Sequence, residues 1–119
     1  MKREFISFEI FNKLWDGLGL TDDDLKDLEE YLCLNPDAGA VIQGTGGVRK
    51  LRWSLRDSGK SGGIRVLYID FIMYEKIYLL MVYPKSKKEN ISDNEKKVIK
   101  KLTADLKDEL RRNNNEKKI

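Results

Sequence analysis

Apolar positions along this chain switch from helical spacing to strand spacing and back. Near the start they fall at Ile10, Phe11, Leu14, Trp15 and Leu18, the three- and four-residue steps of one helix face. Gly17 and Gly19 end that pattern. Thr21 then offers a hydroxyl N-cap with Asp24 three residues on, acids fill the first turn, and Leu25, Leu28 and Leu32 mark the buried stripe of a second helix. Asn35-Pro36 stops it. The two helices read as a hairpin, preceded by a short strand from Phe5 to Phe8.

From Pro36 to Gly47 there is no period, and the glycines there mark a loop. Alternation begins at Val48. Up to Arg56 it sets Leu51, Trp53 and Leu55 on one face and Lys50, Arg52, Ser54 and Arg56 on the other, a half-buried strand with a cationic outer side. Asp57 to Gly63 is a turn. Ile64 to Phe71 and Ile77 to Tyr83 are almost continuously apolar and rich in β-branched and aromatic residues, which makes them the central strands. Pro84 ends the second of them, because it has no N–H for the ladder. Ser92 with Glu95 forms a capping box, and Val98, Ile99, Leu102, Leu106 and Leu110 then give a last amphipathic helix of about five turns. Past Arg111 the apolar content is too low to pack. The expectation is one domain over residues 1–112 and a disordered tail over 113–119.

Composition adds two constraints. At 119 residues the chain is long enough to bury a core without staples, and its single cysteine, Cys33, has no partner for a disulfide. No N-terminal apolar run reads as a signal peptide or membrane span, so a cytoplasmic location is expected. Charge is the second constraint. The net value of +3 divides into −6 over residues 1–45 (4 Lys/Arg, 10 Asp/Glu) and +9 over residues 46–119 (19 Lys/Arg, 10 Asp/Glu). Within the basic part, GTGGVRKLRWSLRDSGKSGGIRVLY carries six Lys/Arg against one Asp, interleaved with glycines, on what reads as two strands. Such a surface suits phosphates: glycine lets the backbone approach closely, and cations on a pleated sheet neutralise a polyanion. The plain alternative is an ordinary solvated surface.

Candidate chemistry is narrowed by what is missing. The chain has no histidine, which removes the usual acid and base of a paired-histidine nuclease and the commonest zinc ligand. No metal or other cofactor is expected. Lysine, tyrosine or a carboxylate would have to move the protons, and crowding of cations favours loss of a lysine proton, so Lys50, Arg52, Arg56, Lys60 and Arg65 could both bind and catalyse. Gly59-Lys60-Ser61 is not a Walker A loop, since Ser54 replaces its first glycine and a strand follows instead of a helix. Gly44, Gly46 and Gly47 either cradle a phosphate or simply make a turn. Trp15 and Trp53 lie on apolar faces and read as core. Tyr83, at a strand end before Pro84 and Lys85, either stacks on a base or covers the edge of the core.

Taken together, IQGTGGVRKLRW, GGIRVLY and YLLMVYPKSKKENIS between two acidic helices and a final helix resemble the HigB branch of the RelE toxin superfamily. The likeness runs from about Phe5 to Leu110, and its most specific part is Val41 to Trp53 with Gly62 to Tyr68. It implies an α+β fold of RelE type, with an antiparallel (mixed) four-stranded sheet, two N-terminal helices and a C-terminal helix. It also implies a type II toxin that cleaves mRNA in the ribosomal A site, by metal-independent attack of a ribose 2′-hydroxyl on the adjacent phosphate. By position, Lys50 and Arg52 correspond to the basic pair of the second strand of that fold, and Arg65 to the third-strand arginine that contacts the scissile phosphate. Where many relatives have an arginine acid and then a stacking tyrosine, this chain reads Tyr83-Pro84-Lys85-Ser86-Lys87. Lys85 then stands in for the acid, and Tyr83 for the stacking residue. Lys50 or Lys60 is the base, with ribosomal RNA binding as the other role for Lys60. Arg49, Arg56, Lys87 and Lys88 complete the RNA-contacting set. The implied partners are the ribosome, its mRNA and a cognate antitoxin with a helix-turn-helix domain, and no membrane. The rival readings are a noncatalytic RNA- or ribosome-binding module derived from such a toxin, and a protein-interaction domain that offers its basic face to an acidic partner.

Overall fold

The computed structural model describes residues 2–54, 63–87 and 90–116. Elements follow in the order β1 (Glu4–Ser7), α1 (Glu9–Gly17), α2 (Asp22–Leu34), β2 (Ala40–Val41), β3 (Arg49–Trp53), β4 (Ile64–Phe71), β5 (Lys76–Pro84) and α3 (Asp93–Glu116). The strands form one sheet in the order β1-β5-β4-β3-β2. β1 runs parallel to β5, with Glu4 opposite Lys76, and the other pairings are antiparallel. This is the expected α+β architecture with a mixed sheet, but with five strands where four were expected. The fifth is β2, whose Ala40 and Val41 pair with Lys50 and Arg49. A pairing of two residues has no period to read, and it forms because Tyr68 holds the preceding segment: its hydroxyl donates to the Pro36 carbonyl (2.8 Å) and accepts from the Gly39 N–H (2.9 Å).

The helices divide between the two faces of the sheet, which explains why β4 and β5 read as continuously apolar. On one face the α1–α2 hairpin packs Phe11, Trp15, Leu28 and Leu32 against Leu51, Val66, Tyr68, Ile77 and Leu79. On the other, α3 packs Leu106 and Leu110 with Ile91 against Val48, Leu67, Ile69, Phe71, Tyr78 and Leu80. Each large side chain so buried contributes about 1.5–3 kcal/mol. Ile10 and Leu18, assigned to the buried stripe of α1, flank it instead at 49% and 37% exposure.

Both capping boxes form. Thr21 accepts from the Asp24 N–H (3.1 Å) while Asp24 accepts from the Thr21 N–H (2.9 Å), and Ser92 and Glu95 repeat the exchange at 3.2 and 2.9 Å. The last helix exceeds its apolar stripe. Backbone hydrogen bonding carries it through Arg111 and Arg112 to Glu116, into the region expected to be a tail, with an Arg111–Asp108 ion pair of 2.5 Å on that turn. Residues 117–119 lie outside the described residues.

Candidate nucleic-acid interface

Register brings the basic positions together. Arg52 on β3 stands directly opposite Arg65 on β4, and Arg65 directly opposite Tyr83 on β5, so the three form one cross-strand row. The neighbouring row on that face is Lys50, Leu67 and Met81. Directly opposed residues share a face, with Cβ atoms roughly 4.5–5.5 Å apart. Lys50, Arg52 and Arg65 therefore converge on the α3 side of the sheet, at the end where β5 runs out. Arg52 is exposed, whereas Arg65 is 3% exposed.

A bulge in β5 is what puts Tyr83 in this row. Leu67 pairs with Met81 and Tyr68 with Leu79, leaving Leu80 as an extra residue. Ile77 and Leu79 face the helical hairpin, and after the extra residue it is Val82 that does so, turning Tyr83 toward α3. Unbroken alternation from Ile77 would have sent Tyr83 into the other core. The Tyr83 ring is 6% exposed and packs with Leu67, Leu80 and Ile91, the edge-covering role of the two the sequence left open.

Behind Tyr83 the chain turns at once. The Lys87 N–H donates to the Pro84 carbonyl (3.1 Å), which leaves Lys85 and Lys87 exposed on a turn beside the end of the row. The chain then returns to β3: Asn90 Oδ1 lies 3.4 Å from Lys50 Nζ, Ile91 is buried, and Ser92 caps α3. Asn90 was not among the candidate site residues read from the sequence.

The glycine-rich loop ahead of β3 makes a turn. Gly44, Gly46 and Gly47 have φ of 81°, 82° and 114°, and buried Thr45 ties the loop by donating to the Ile42 carbonyl (2.6 Å) and accepting from the Val48 N–H (3.1 Å). A Cβ on Gly46 would lie 2.9 Å from Thr103 Cγ2, so the missing side chain lets α3 dock closely.

Other basic positions separate from this group. Arg49 is opposite Tyr68 on the hairpin face, and its guanidinium donates to the carbonyls of Gly39 (2.7 Å) and Asp37 (3.2 Å). Period two makes that placement unavoidable, since consecutive strand residues point to opposite faces. It secures β2. Arg56, Lys60 and Lys88 lie outside the described residues. Among the described residues no cluster of three His, Cys, Asp or Glu could hold a metal ion, and no helix is long and apolar enough to cross a membrane.

The fold is a small α+β domain that sets Arg52 and Arg65 in one cross-strand row, with Lys50 in the next row and Lys85 and Lys87 on the turn beyond. The model of the RelE toxin of the RelE/RelB toxin-antitoxin system matches residues 11–117, and the chain belongs to the RelE toxin family. Its fold is similar to that of the E. coli toxin RelE, solved in the free state with two arginines replaced by alanine. The TM-score is 0.52 at 16% identity, over 74% of this chain and 88% of that one. The protein is thus a toxin of a toxin-antitoxin system, and an antitoxin is its partner.

Proposed function

We propose that this toxin is a ribosome-dependent mRNA endoribonuclease of the HigB branch, acting in the cytoplasm without a metal. The observation that carries the reading is the row of Arg52 and Arg65 with Lys50 beside it and Lys85 at its end. The amine of Lys50 takes the proton of a ribose 2′-hydroxyl. The freed oxygen bonds to the adjacent phosphorus, the bond from phosphorus to the 5′-oxygen breaks, and the Lys85 ammonium protonates that oxygen. The products are a 2′,3′-cyclic phosphate and a 5′-hydroxyl. Arg52 and Arg65 stabilise the charge that grows on the non-bridging oxygens. Lys87 and the exposed edge of the turn hold flanking phosphates, and a helix-turn-helix antitoxin restrains the toxin.

Arg65→Ala tests this. Expressed in cells, the folded variant should lose growth inhibition and lower ribosome-dependent cleavage by about 100-fold or more. Unaltered cleavage removes Arg65 from the mechanism. One observation favours a second reading, a noncatalytic ribosome-binding toxin: with Tyr83 packed into the core, its ring offers no free face for a base. That reading predicts arrested translation without new mRNA 5′ ends, which primer extension on RNA from induced cells would reveal.

A further inference from the structure

We propose that the turn between β4 and β5 is the contact through which two copies of this chain associate, the apolar tip of each seated in the cleft beside the tip of the other. Tight turns are usually built from glycine, asparagine, aspartate or serine. Here the turn is Ile72-Met73-Tyr74, closed by Glu75 at φ 54°, a conformation that glycine adopts most readily. Tyr74 anchors it to the core beneath α3. Ile72 is 69% exposed and Met73 91% exposed, so these two side chains project from the molecule. Methionine is unbranched and adapts to a facing surface, and it is enriched at the buried centres of protein contacts.

Charge selects the occupant. The turn lies against the last turns of α3 and separates two clefts. One is lined by Phe71, Ile72, Tyr74, Lys107, Arg111 and Asp70, the other by Glu75, Lys76, Tyr78, Glu109 and Leu110. Asp70 is held by Arg3 (2.7 Å), Lys76 by Glu4 (2.8 Å) and Arg111 by Asp108. Lys107, Glu75 and Glu109 form no ion pair among the described residues, so one cleft keeps an unmatched cation and the other two unmatched carboxylates. They lie on opposite sides of the tip, because Lys107 and Glu109 flank the inward line of Leu106 and Leu110 on α3. An acidic segment would meet Glu75 and Glu109, and a basic one would meet Lys107. A second copy, related by a two-fold axis that exchanges the two sides, sets the carboxylates of each copy over Lys107 of the other, twice by symmetry. Arg65 and Phe71 stand six residues apart on β4, roughly 20 Å, so contact at the tip leaves the row of Arg52 and Arg65 open in both copies.

Analytical ultracentrifugation of the full chain, freed of antitoxin, tests this. Contacts of this size are weak, so the weight-average mass should rise from one chain toward two between about 1 and about 500 μM. Met73→Asp should raise the dissociation constant about tenfold or more, with the thermal melt of the single chain unchanged because that side chain stands clear of its own fold. Glu75→Lys and Lys107→Glu should each weaken association about fivefold, since each sets like charges opposite one another at both symmetric contacts. The two reversals in one chain should restore association to within about twofold of wild type, because every copy then supplies both exchanged charges. A single-chain mass at every concentration overturns the pairing, as does a dimer that Met73→Asp leaves intact or that the double reversal fails to restore. A chain that stays single while its antitoxin shields Met73 from oxidation would give the tip to the antitoxin and overturn the pairing of copies.

Discussion

Removing one oxygen atom, in Tyr68→Phe, would probe what holds β2 on the edge of the sheet. The Tyr68 ring is fully buried, and its hydroxyl makes two hydrogen bonds to the segment that leads into β2. Without it the Gly39 N–H is left inside with no acceptor, at a cost of about 1–3 kcal/mol, and the partly exposed Pro36 carbonyl loses a donor worth about 0.5–1 kcal/mol. The total is about 1.5–4 kcal/mol, with a middle value of about 2.5 kcal/mol. For a chain of this length the unfolding entropy converts each kcal/mol to roughly 4 °C, so the melting temperature should fall by about 10 °C. A pH dependence distinguishes this from a simple packing defect. Burial raises the pKa of Tyr68, and that of Tyr78 moves the same way for the same cause. A phenol whose pKa is raised by folding stabilises the protein fully below its ordinary value of about 10, and that stability drains away as pH climbs through the raised value. Thermal melts from pH 7 to 11 should therefore show an alkaline decline in wild type that is shallower in Tyr68→Phe. A melting temperature within 2 °C of wild type at pH 7 (about 0.5 kcal/mol) would refute the assignment of that hydroxyl as the clamp on β2.

Three further outcomes follow from the same geometry. Gly46→Ala forces a left-handed residue and a methyl against buried Thr103, so urea denaturation should show a loss of about 2–3 kcal/mol. Arg3 and Asp70 are joined at 2.7 Å with side chains only 5% and 8% exposed. Arg3→Met alone should cost about 3–5 kcal/mol in urea denaturation, and Arg3→Met with Asp70→Leu should recover most of it. Binding of single-stranded RNA through about four phosphates should weaken with salt at a log–log slope of about −3, as measured by fluorescence anisotropy, and Arg49→Ala should leave that slope unchanged. A flat salt response would instead point to an apolar protein interface.

Local patterns in the chain were enough for the helices, both capping boxes, the central strands and the cationic side of β3, because each depends on residues within a few positions of one another. Lys50 and Arg52 share a face by strand period alone. Arg49 joined the candidate set on charge, although the same period sends it to the opposite side of the sheet, where it holds β2. What the chain could not disclose is set by pairings distant in sequence. The place of Arg65 opposite Arg52 depends on register between strands, and the direction of Tyr83 depends on the bulge at Leu80, which exchanges the two faces of β5. Residue types around Leu80 look the same with or without that extra residue, since both faces are apolar. The existence of β2 rests on a hydroxyl about thirty residues away, and the approach of Asn90 to Lys50 on the path of the chain between β5 and α3. Charge and period are properties of the chain, but the meeting of basic side chains in one row is a property of how its strands align.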